Sequence, residues 1–501
     1  MVSSKSLRRA ALVLGVAGVA ALGLEVLASC GSTSQTPAPD SGAPVHIGVV
    51  IALSGDLKGT GTGLQNAVRV AEQQLNAYGG ILGRHVTFDV KDDQTDNGTI
   101  IQGVVNDLLG SHVSAMLGPI GSGQVSAVQQ LTYNAKTIEI TATATSPLLS
   151  DAQPPTDRYL FRTVPNDRLQ AKALAIFAYE GPGAVTDAGA PPVVDSGSGD
   201  VDGGDAGPKP PPPNGACRKM AIIHNNDDYG NPFAAALVSN FEDPSRAGPG
   251  AVVVNQAVPT DKQASYATQI SAIQTAAPDC LAMIVYDPAG DEILSELRAA
   301  QSSGQISNDL LIIGVDGTYT QDFIVNGQAQ KGVATSASVT EGVFGTNPDS
   351  NPTSGVPGYG DFRNLYLSQF ALDPGATDLP GQASNFYDAA ILAALAIEKA
   401  GGTDDAVKIR DSLYAVSKGA TASPQIVGPG NIGDALNYIH QGTDINYEGA
   451  SGSCDFDEYG DVVGNYIIWE VIHPVCGSPN TCQPTFKTVG SIAAKTLASQ
   501  Q

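Results

Sequence analysis

The 501-residue sequence has few basic side chains, with 26 Lys and Arg against 50 Asp and Glu, and its formal net charge is −24. No basic stripe occurs beyond the first ten residues. Nucleic-acid binding needs clustered Lys and Arg that release counterions from phosphates, so the composition argues against such a partner. Long apolar runs are also scarce, because only one occurs and it lies at the extreme N-terminus. A polytopic membrane protein is therefore excluded.

The common motifs of catalysis and nucleotide binding are missing as well. The glycine-rich stretch from Lys58 to Gly63 lies between an apolar strand and a helical pattern, but it matches neither GxxxxGK[ST] nor GxGxxG. The six histidines show no HExxH or paired spacing, which argues against a metal site. Ser122 lies between two glycines, and the GxSxG elbow of serine hydrolases would need Gly where Ile120 stands. We therefore predict no catalytic residue, no metal and no cofactor.

The N-terminus has the pattern of a bacterial secretory signal. A short basic segment at residues 5–9 precedes an apolar stretch at residues 10–24, and the sequence Leu-Ala-Ser-Cys then ends at Cys30. This ending resembles a lipobox, whose cysteine becomes the lipidated first residue of the mature protein. An uncleaved anchor is the alternative, but the apolar run is shorter than the roughly 20 residues that a span needs. We predict a signal peptide over residues 1–30, lipidation at Cys30 and a membrane-anchored body outside the cytoplasm.

Two segments of low complexity lie outside the regular pattern. Residues 31–44 are rich in Ser, Thr, Pro and Gly and are predicted to form a flexible tether. Residues 181–215 are dominated by Gly, Pro, Asp and Ser, so they have almost nothing to bury. We predict a disordered surface insertion there. Its aspartates could suggest calcium, but no ligand spacing repeats.

Strands alternate with helices in two successive series. The first begins with VHIGVVIAL at residues 45–53 and runs to TIEITA at 137–142. The second begins with KMAIIHN at residues 219–225 and runs to LLIIGVD at 310–316. This alternation is typical of βαβ units and parallel sheets. We therefore predict an α/β protein with two lobes of similar construction.

Five cysteines remain once Cys30 is lipidated. Cys217 and Cys280 open the first and third strands of the second series, which are neighbours in a doubly wound sheet, so a disulfide between them is geometrically reasonable. Cys476 and Cys482 could close a small loop, which would leave Cys454 as an odd thiol. The pairing of these last three cysteines stays open.

Nine short motifs occur in the order that one family shows. They are VVIALSGDLKGTG, LNAYGGILGR, VKDDQTD, LGPIGSG, ITATATSP, IIHNNDDYG, VYDPAG…ILSELRAA, IIGVDG and FDEYGDVVGNY. In this order the chain resembles the extracytoplasmic solute-binding proteins for branched-chain amino acids, which have the type 1 periplasmic-binding fold and serve ABC importers. The resemblance runs from Val45 to about Trp469, without the insertion. It implies two doubly wound α/β lobes joined by three crossovers, with lobe 1 at 45–165 and 338–447 and lobe 2 at 166–337 and 448–492.

The resemblance also implies a ligand cleft between the lobes. Ser122 and the segment Thr143-Ala144-Thr145 would hold the α-carboxylate of an amino acid through hydroxyls and backbone N–H groups. Asp316, at the end of the IIGVDG strand, would pair with the α-ammonium. The remaining implied contacts are aromatic, namely Tyr229 and Tyr286 from the second lobe and Tyr387 from the first.

Each of these residues also has a purely structural interpretation. Ser122 could cap a helix, and Asp316 could be a turn residue before its glycine. The tyrosines could be packing residues on the lobe surfaces.

The first cleft loop departs from the family pattern because it is short and has no aromatic between Ser54 and Leu64. That loop helps to size the side-chain pocket, so the preferred amino acid stays open. We expect a monomeric, lipid-anchored binding protein, not an enzyme, that closes around an amino acid and is read by an ABC permease. Two alternatives stay open. One is a sensor of the same fold for an amide, urea or other small acid, and the other is a surface lipoprotein with a vestigial cleft.

Overall fold

The computed structural model describes residues 42–182, 216–245, 248–326, 338–352, 356–372, 378–472 and 484–498. The predicted signal peptide, the lipidation site Cys30, Cys476 and Cys482 lie outside the described residues, as do nearly all of the predicted tether and insertion. Within the described ranges no helix is both long enough and apolar enough to cross a bilayer.

Strands and helices alternate along most of the described chain, as predicted. The strands are β1 (Val45–Ile51), β2 (Val86–Asp92), β3 (Met116–Leu117), β4 (Glu139–Thr141), β5 (Leu160–Arg162), β6 (Lys219–Asn225), β7 (Ala251–Val258), β8 (Cys280–Ile284), β9 (Leu311–Gly314), β10 (Phe344–Pro348), β11 (Gln425–Val427), β12 (Ile445–Tyr447), β13 (Tyr466–Ile472) and β14 (Thr485–Ile492). The helices are α1 (Lys58–Ala77), α2 (Thr99–Gly110), α3 (Ser122–Ala135), α4 (Leu148–Asp151), α5 (Asp167–Glu180), α6 (Gly230–Phe241), α7 (Ala267–Ala276), α8 (Asp287–Ser302), α9 (Gln321–Asn326), α10 (Pro357–Leu367), α11 (Ala383–Ala400), α12 (Ala406–Lys418), α13 (Ile432–His440) and α14 (Ala494–Ala498).

Two large sheets organise the molecule, and each defines a lobe. The first lobe has a parallel sheet in the order β2-β1-β3-β4-β5. The second lobe has the order β14-β13-β10-β9-β8-β6-β7, in which β13 and β14 are antiparallel to their neighbours. The chain crosses between the lobes after β5, after β10 and before β13. The predicted architecture of two α/β lobes with three crossovers is confirmed.

The lobe boundaries differ from the predicted ones at two places. Strand β10 was predicted in lobe 1, but it pairs with β9 and β13 of the second sheet, for example Phe344 with Ile313. Residues 448–465 were predicted in lobe 2, but Cys454 and Phe456 from this segment lie in the core of the first lobe. Apolar patterning identifies a buried segment, whereas the choice of sheet depends on hydrogen-bond pairing across long sequence separations.

Helix α11 forms the centre of the first lobe. Every residue of α11 except Lys399 is buried, and the helix contacts both α1 and α12. Its sequence, ASNFYDAAILAALAIEKA, is mostly small and apolar on all sides. A helix that is apolar all round is stable only when other elements surround it.

The glycine-rich stretch at Lys58–Gly63 is the beginning of α1 and not a loop before it. A Cβ atom on Gly61 would lie 1.8 Å from the carbonyl oxygen of Ala52, and one on Gly63 would lie 2.4 Å from the side chain of Pro380. The glycines therefore let the first turns of α1 pack directly against backbone and proline. Close approach, and not phosphate binding, explains this composition.

Cys217 and Cys280 form a disulfide with a Cα–Cα distance of 5.6 Å. Cys280 begins β8 and pairs with Met220 of the adjacent strand β6, so the bridge joins neighbouring strands of the second lobe as the sequence predicts. Cys454 is a buried thiol in the core of the first lobe.

Candidate ligand-binding site

A cleft lies at the carboxyl ends of the parallel strands of the two sheets. Loops at this edge commonly bind ligands, because the strand ends leave backbone groups and helix N-termini pointing into the space. The first lobe lines the cleft with Asp56, Leu57, Thr60, Ile120, Gly121, Ser122, Thr143, Thr145 and Gln382. The second lobe lines it with Tyr229, Tyr286, Asp287, Asp316, Gly317 and Thr320.

The first lobe offers hydroxyl groups at the start of α3. Ser122 is the first residue of this helix, and its side-chain oxygen accepts a hydrogen bond from the backbone N–H of Ser146 at 3.2 Å. Thr143 donates its hydroxyl proton to the carbonyl of Ile120, which fixes the side chain at the wall. The first N–H groups of any helix have no partner within the helix, and they carry a partial positive charge. This wall is therefore suited to a carboxylate.

The second lobe offers a carboxyl group held by a tyrosine. The Tyr229 hydroxyl donates to Asp316 Oδ1 at 2.7 Å, and the ring of Tyr286 stacks on that of Tyr229 with centroids 5.2 Å apart and planes 13° apart. Burial raises the pKa of Asp316 to about 6. A positively charged ligand group beside this carboxyl would favour its ionised form.

A second carboxyl group lies behind Asp316. Asp167, the first residue of α5, is fully buried. Burial and then the neighbouring Asp316 raise its pKa well above the usual range, while Arg162 acts in the opposite direction. Arg162 itself is held by Asp461, with Nε 2.6 Å from Oδ1. The site therefore has more acidic groups than basic ones.

Six of the predicted site residues line the cleft together, namely Ser122, Thr143, Thr145, Tyr229, Tyr286 and Asp316. Ala144 is buried beside them but does not line the cleft.

Tyr387 does not lie in the cleft, so this expectation is corrected. It belongs to the buried helix α11 and stacks on Phe362 with ring centroids 4.5 Å apart. Its hydroxyl donates to the side chain of Gln74 on α1. The tyrosine faces α1 and α10 because α11 runs through the core of the lobe.

Sequence reasoning missed the polar residues Asp56, Thr60, Asp287, Thr320 and Gln382, which also line the cleft. Asp287 directly follows Tyr286 in the VYDPAG motif, and this adjacency was the only signal for it. Asp56 and Thr60 lie within the first motif, VVIALSGDLKGTG, whereas Thr320 and Gln382 lie in none of the nine motifs. Within the described ranges no cluster of three or more His, Cys, Asp or Glu side chains could hold a metal ion.

Comparison with known proteins gives one family. A family model described as periplasmic binding protein matches residues 44–435. The Leu/Ile/Val-binding protein BraC3 of Rhizobium johnstonii is 25% identical over 382 residues, which are 75% of this chain and 85% of the relative. The chemotactic signal transduction system substrate-binding protein BasB of Halobacterium salinarum is 24% identical over 434 residues, which are 86% of this chain and 88% of the relative.

Solved structures share the fold at low sequence identity. The leucine binding protein LivK of Thermotoga maritima superposes with a TM-score of 0.64 at 18% identity, covering 90% of this chain and 99% of that one. The substrate binding protein LivJ of Streptococcus pneumoniae, in complex with isoleucine, superposes with a TM-score of 0.61 at 18% identity. The match covers 89% of this chain and 100% of that one. A solute binding protein of Rhodopseudomonas palustris, in complex with p-hydroxybenzoic acid, superposes with a TM-score of 0.63 at 15% identity. The match covers 90% of this chain and 98% of that one. The shared fold thus accommodates different ligands.

Proposed function

Because this chain belongs to the periplasmic binding protein family, we propose that it captures an amino acid between its two lobes and delivers it to an ABC importer. The observation that carries the proposal is the opposition of Ser122 and the first turn of α3 on one lobe to Asp316 on the other, around one cleft. An amino-acid head group has a carboxylate and an ammonium, and these walls offer one partner to each. Membership in the family implies a location outside the cytoplasm.

The carboxylate would bind at the start of α3. Ser122 supplies a hydroxyl there, and the first-turn N–H groups supply further donors. A hydrogen bond to a charged group contributes about 1.5–3 kcal/mol. This arrangement requires no lysine or arginine, which agrees with the absence of basic residues from the lining of the cleft in the described part of the chain.

The ammonium would bind to Asp316. The Tyr229 hydroxyl already donates to one oxygen of this carboxyl, so the side chain is oriented before the ligand arrives. Pairing with the ammonium would also relieve the repulsion between Asp316 and the buried Asp167. Binding therefore removes an unfavourable interaction of the empty cleft.

Closure would couple binding to delivery. A ligand held by both lobes favours the closed form over the open one, and a permease distinguishes the two forms. We propose that the protein acts as a monomer, without a catalytic role, and that a lipid on Cys30 keeps it at the membrane.

A small aromatic acid is a second candidate, because Tyr229 and Tyr286 form a stacked aromatic wall and a neighbour of the same fold was solved with p-hydroxybenzoic acid. Such a ligand has a carboxylate for Ser122 but no cation for Asp316. It would leave two neighbouring carboxyl groups without a counter-charge. The amino acid satisfies both walls.

Isothermal titration calorimetry with the twenty amino acids and p-hydroxybenzoate tests the proposal. We expect at least one α-amino acid to bind one-to-one and the corresponding amine without a carboxylate to bind far more weakly. Binding of p-hydroxybenzoate alone would contradict the amino-acid assignment. Uptake by vesicles containing the cognate permease then separates delivery from sensing.

A further inference from the structure

The part of the cleft beyond the head-group site is polar and acidic. Leu57 and Ile120 are the aliphatic side chains in the described lining, whereas Asp56, Thr60, Asp287, Thr320 and Gln382 are polar. A branched aliphatic side chain needs an apolar wall, because burying polar groups without partners costs free energy. This lining is therefore unsuited to leucine, isoleucine or valine.

Asp287 is the most informative of these polar residues. It is 7% exposed, its Oδ2 accepts a hydrogen bond from the Thr320 hydroxyl, and its Oδ1 is buried without a hydrogen-bond partner. Burial, opposed by the Thr320 hydrogen bond and assisted by the charge of Asp322, raises the pKa of Asp287 to about 7. An unpartnered carboxyl oxygen at the wall of a ligand cleft is a site that awaits a donor.

Among the residues that the structure describes, no basic side chain acts on the pKa of Asp287. Asp291, one turn further along α8, is also buried and has its own pKa raised to about 8, by burial first and then by Asp287. Lys262 lowers the pKa of Asp291 but pairs with Glu292 at 3.1 Å. Asp287 therefore lies among acids, and the lysine that acts on its neighbour Asp291 is already paired with Glu292.

The two acidic centres of the cleft belong to different hydrogen-bonding groups. Asp316 is bound by Tyr229, whereas Asp287 is bound by Thr320. A further carboxyl, the exposed Asp56, lines the cleft, and it lies close enough to Asp261 for that charge, after burial, to raise its pKa. Acidic side chains of this kind raise the local concentration of cations.

We propose that the ligand is an amino acid whose side chain ends in a cation, and that the buried Asp287 receives this cation while Asp316 receives the α-ammonium. The proposal rests on the proposed capture of an amino acid and specifies its class. Charge-assisted hydrogen bonds are stronger than neutral ones, so Asp287 determines specificity and not only affinity.

Calorimetry with a matched ligand pair tests this proposal on the purified protein. L-Lysine and L-norleucine differ by the terminal ammonium alone, and L-ornithine and L-arginine vary its position and shape. We expect the tightest cationic amino acid to bind at least about tenfold more tightly than norleucine and leucine. In Asp287→Asn this ratio falls to about threefold or less, while norleucine binds as in the parent.

Asp291→Asn is the control, because it removes a buried carboxyl one turn away that does not line the cleft. It keeps the parent preference for the cation. Tighter binding of leucine, norleucine or glutamine than of every cationic amino acid overturns the inference and leaves the proposed function intact. If no α-amino acid binds, the proposed function itself fails. A parent-like preference in Asp287→Asn overturns the assignment to this residue.

Discussion

The two lobes present opposite chemistry to the same cleft. The first lobe contributes the hydroxyl of Ser122 and the start of α3, whereas the second contributes the carboxyls of Asp287 and Asp316 and two tyrosines. One wall is suited to an anion and the other to cations. Neither wall alone satisfies an amino acid, so full binding requires the lobes to come together, which is the property that a transport or sensing partner can read.

The lobes also differ in how they are stabilised. The first lobe surrounds the buried helix α11, and its one described cysteine, Cys454, is a thiol. The second lobe has an antiparallel edge formed by β13 and β14 and a disulfide that links the segment before β6 to the start of β8. Burial of apolar helix surface supports the first lobe, and a covalent link adds to the core of the second.

The largest expected effect is loss of the disulfide in the second lobe. The bridge spans 63 residues, and closing a loop of that length in the unfolded chain corresponds to about 4 kcal/mol of stability. We expect Cys217→Ser/Cys280→Ser to lower the free energy of unfolding by about this amount in urea titration. Cys454→Ala is the control for losing a cysteine and is expected to cost about 1 kcal/mol. If both variants lost the same free energy of unfolding, the disulfide would not stabilise the second lobe more than a buried thiol stabilises the first.

The second largest expected effect is loss of the buried ion pair between Arg162 and Asp461, which lies near the crossovers. Asp461 accepts hydrogen bonds from Arg162, from Ser150 at 2.6 Å and from Asn166 at 3.0 Å. Burial tends to raise the pKa of Asp461, but Arg162 and the hydrogen bonds from Ser150 and Asn166 together outweigh it and hold that pKa below its usual range. Asp461→Asn leaves a buried guanidinium without a charge partner, and we expect a loss of about 3 kcal/mol by urea titration.

The depressed pKa gives this prediction a pH signature. The stabilisation is present above the unfolded-state pKa of an aspartate and is lost as the pH falls through the lower folded-state value. The parent should therefore lose stability relative to Asp461→Asn only in acid. A difference between the two proteins that stays constant down to strongly acidic pH would contradict the ion-pair interpretation.

Asp316→Ala tests the charged wall of the second lobe. Truncating one partner of an enclosed ion pair typically costs 2–5 kcal/mol, so we expect affinity for the preferred amino acid to fall by roughly a hundredfold. Calorimetry measures the loss, and circular dichroism checks that the fold persists. Asp309→Ala removes an exposed carboxyl of the same lobe and should bind as the parent does. Unchanged affinity in Asp316→Ala would exclude an ammonium contact.

Ser122→Ala tests the neutral wall of the first lobe. The variant loses one hydroxyl but keeps the backbone N–H groups of α3, so we expect about a tenfold loss of affinity, smaller than for Asp316→Ala. The amine analogue that lacks the carboxylate should bind the parent and the variant equally. A loss as large as that of Asp316→Ala would mean that the lobes contribute equally.

The fold could be predicted from local pattern and motif order, and six cleft residues could be named because the family resemblance implied them. The resemblance was wrong for Tyr387, since the sequence does not indicate that α11 is buried in the core of the first lobe. Asp167 and Thr320 could not be found either, because an aspartate at a helix start and a threonine in a loop are ordinary residues locally. Their proximity to Asp316 and Asp287 arises only when distant segments fold together.

The smallest expected effect is the pH dependence of binding by the second lobe. Only the ionised form of Asp316 pairs with an ammonium, and burial raises the pKa of this carboxyl to about 6 in the empty cleft. With the tightest neutral amino acid, we therefore expect affinity to be constant above pH 7 and to fall about fourfold between about pH 7.5 and 5.5. Ser122→Ala should show the same profile, displaced to weaker binding, because it leaves Asp316 intact. Asp316→Asn should show no such fall, and a pH profile unchanged in that variant would place the titrating group elsewhere in the cleft.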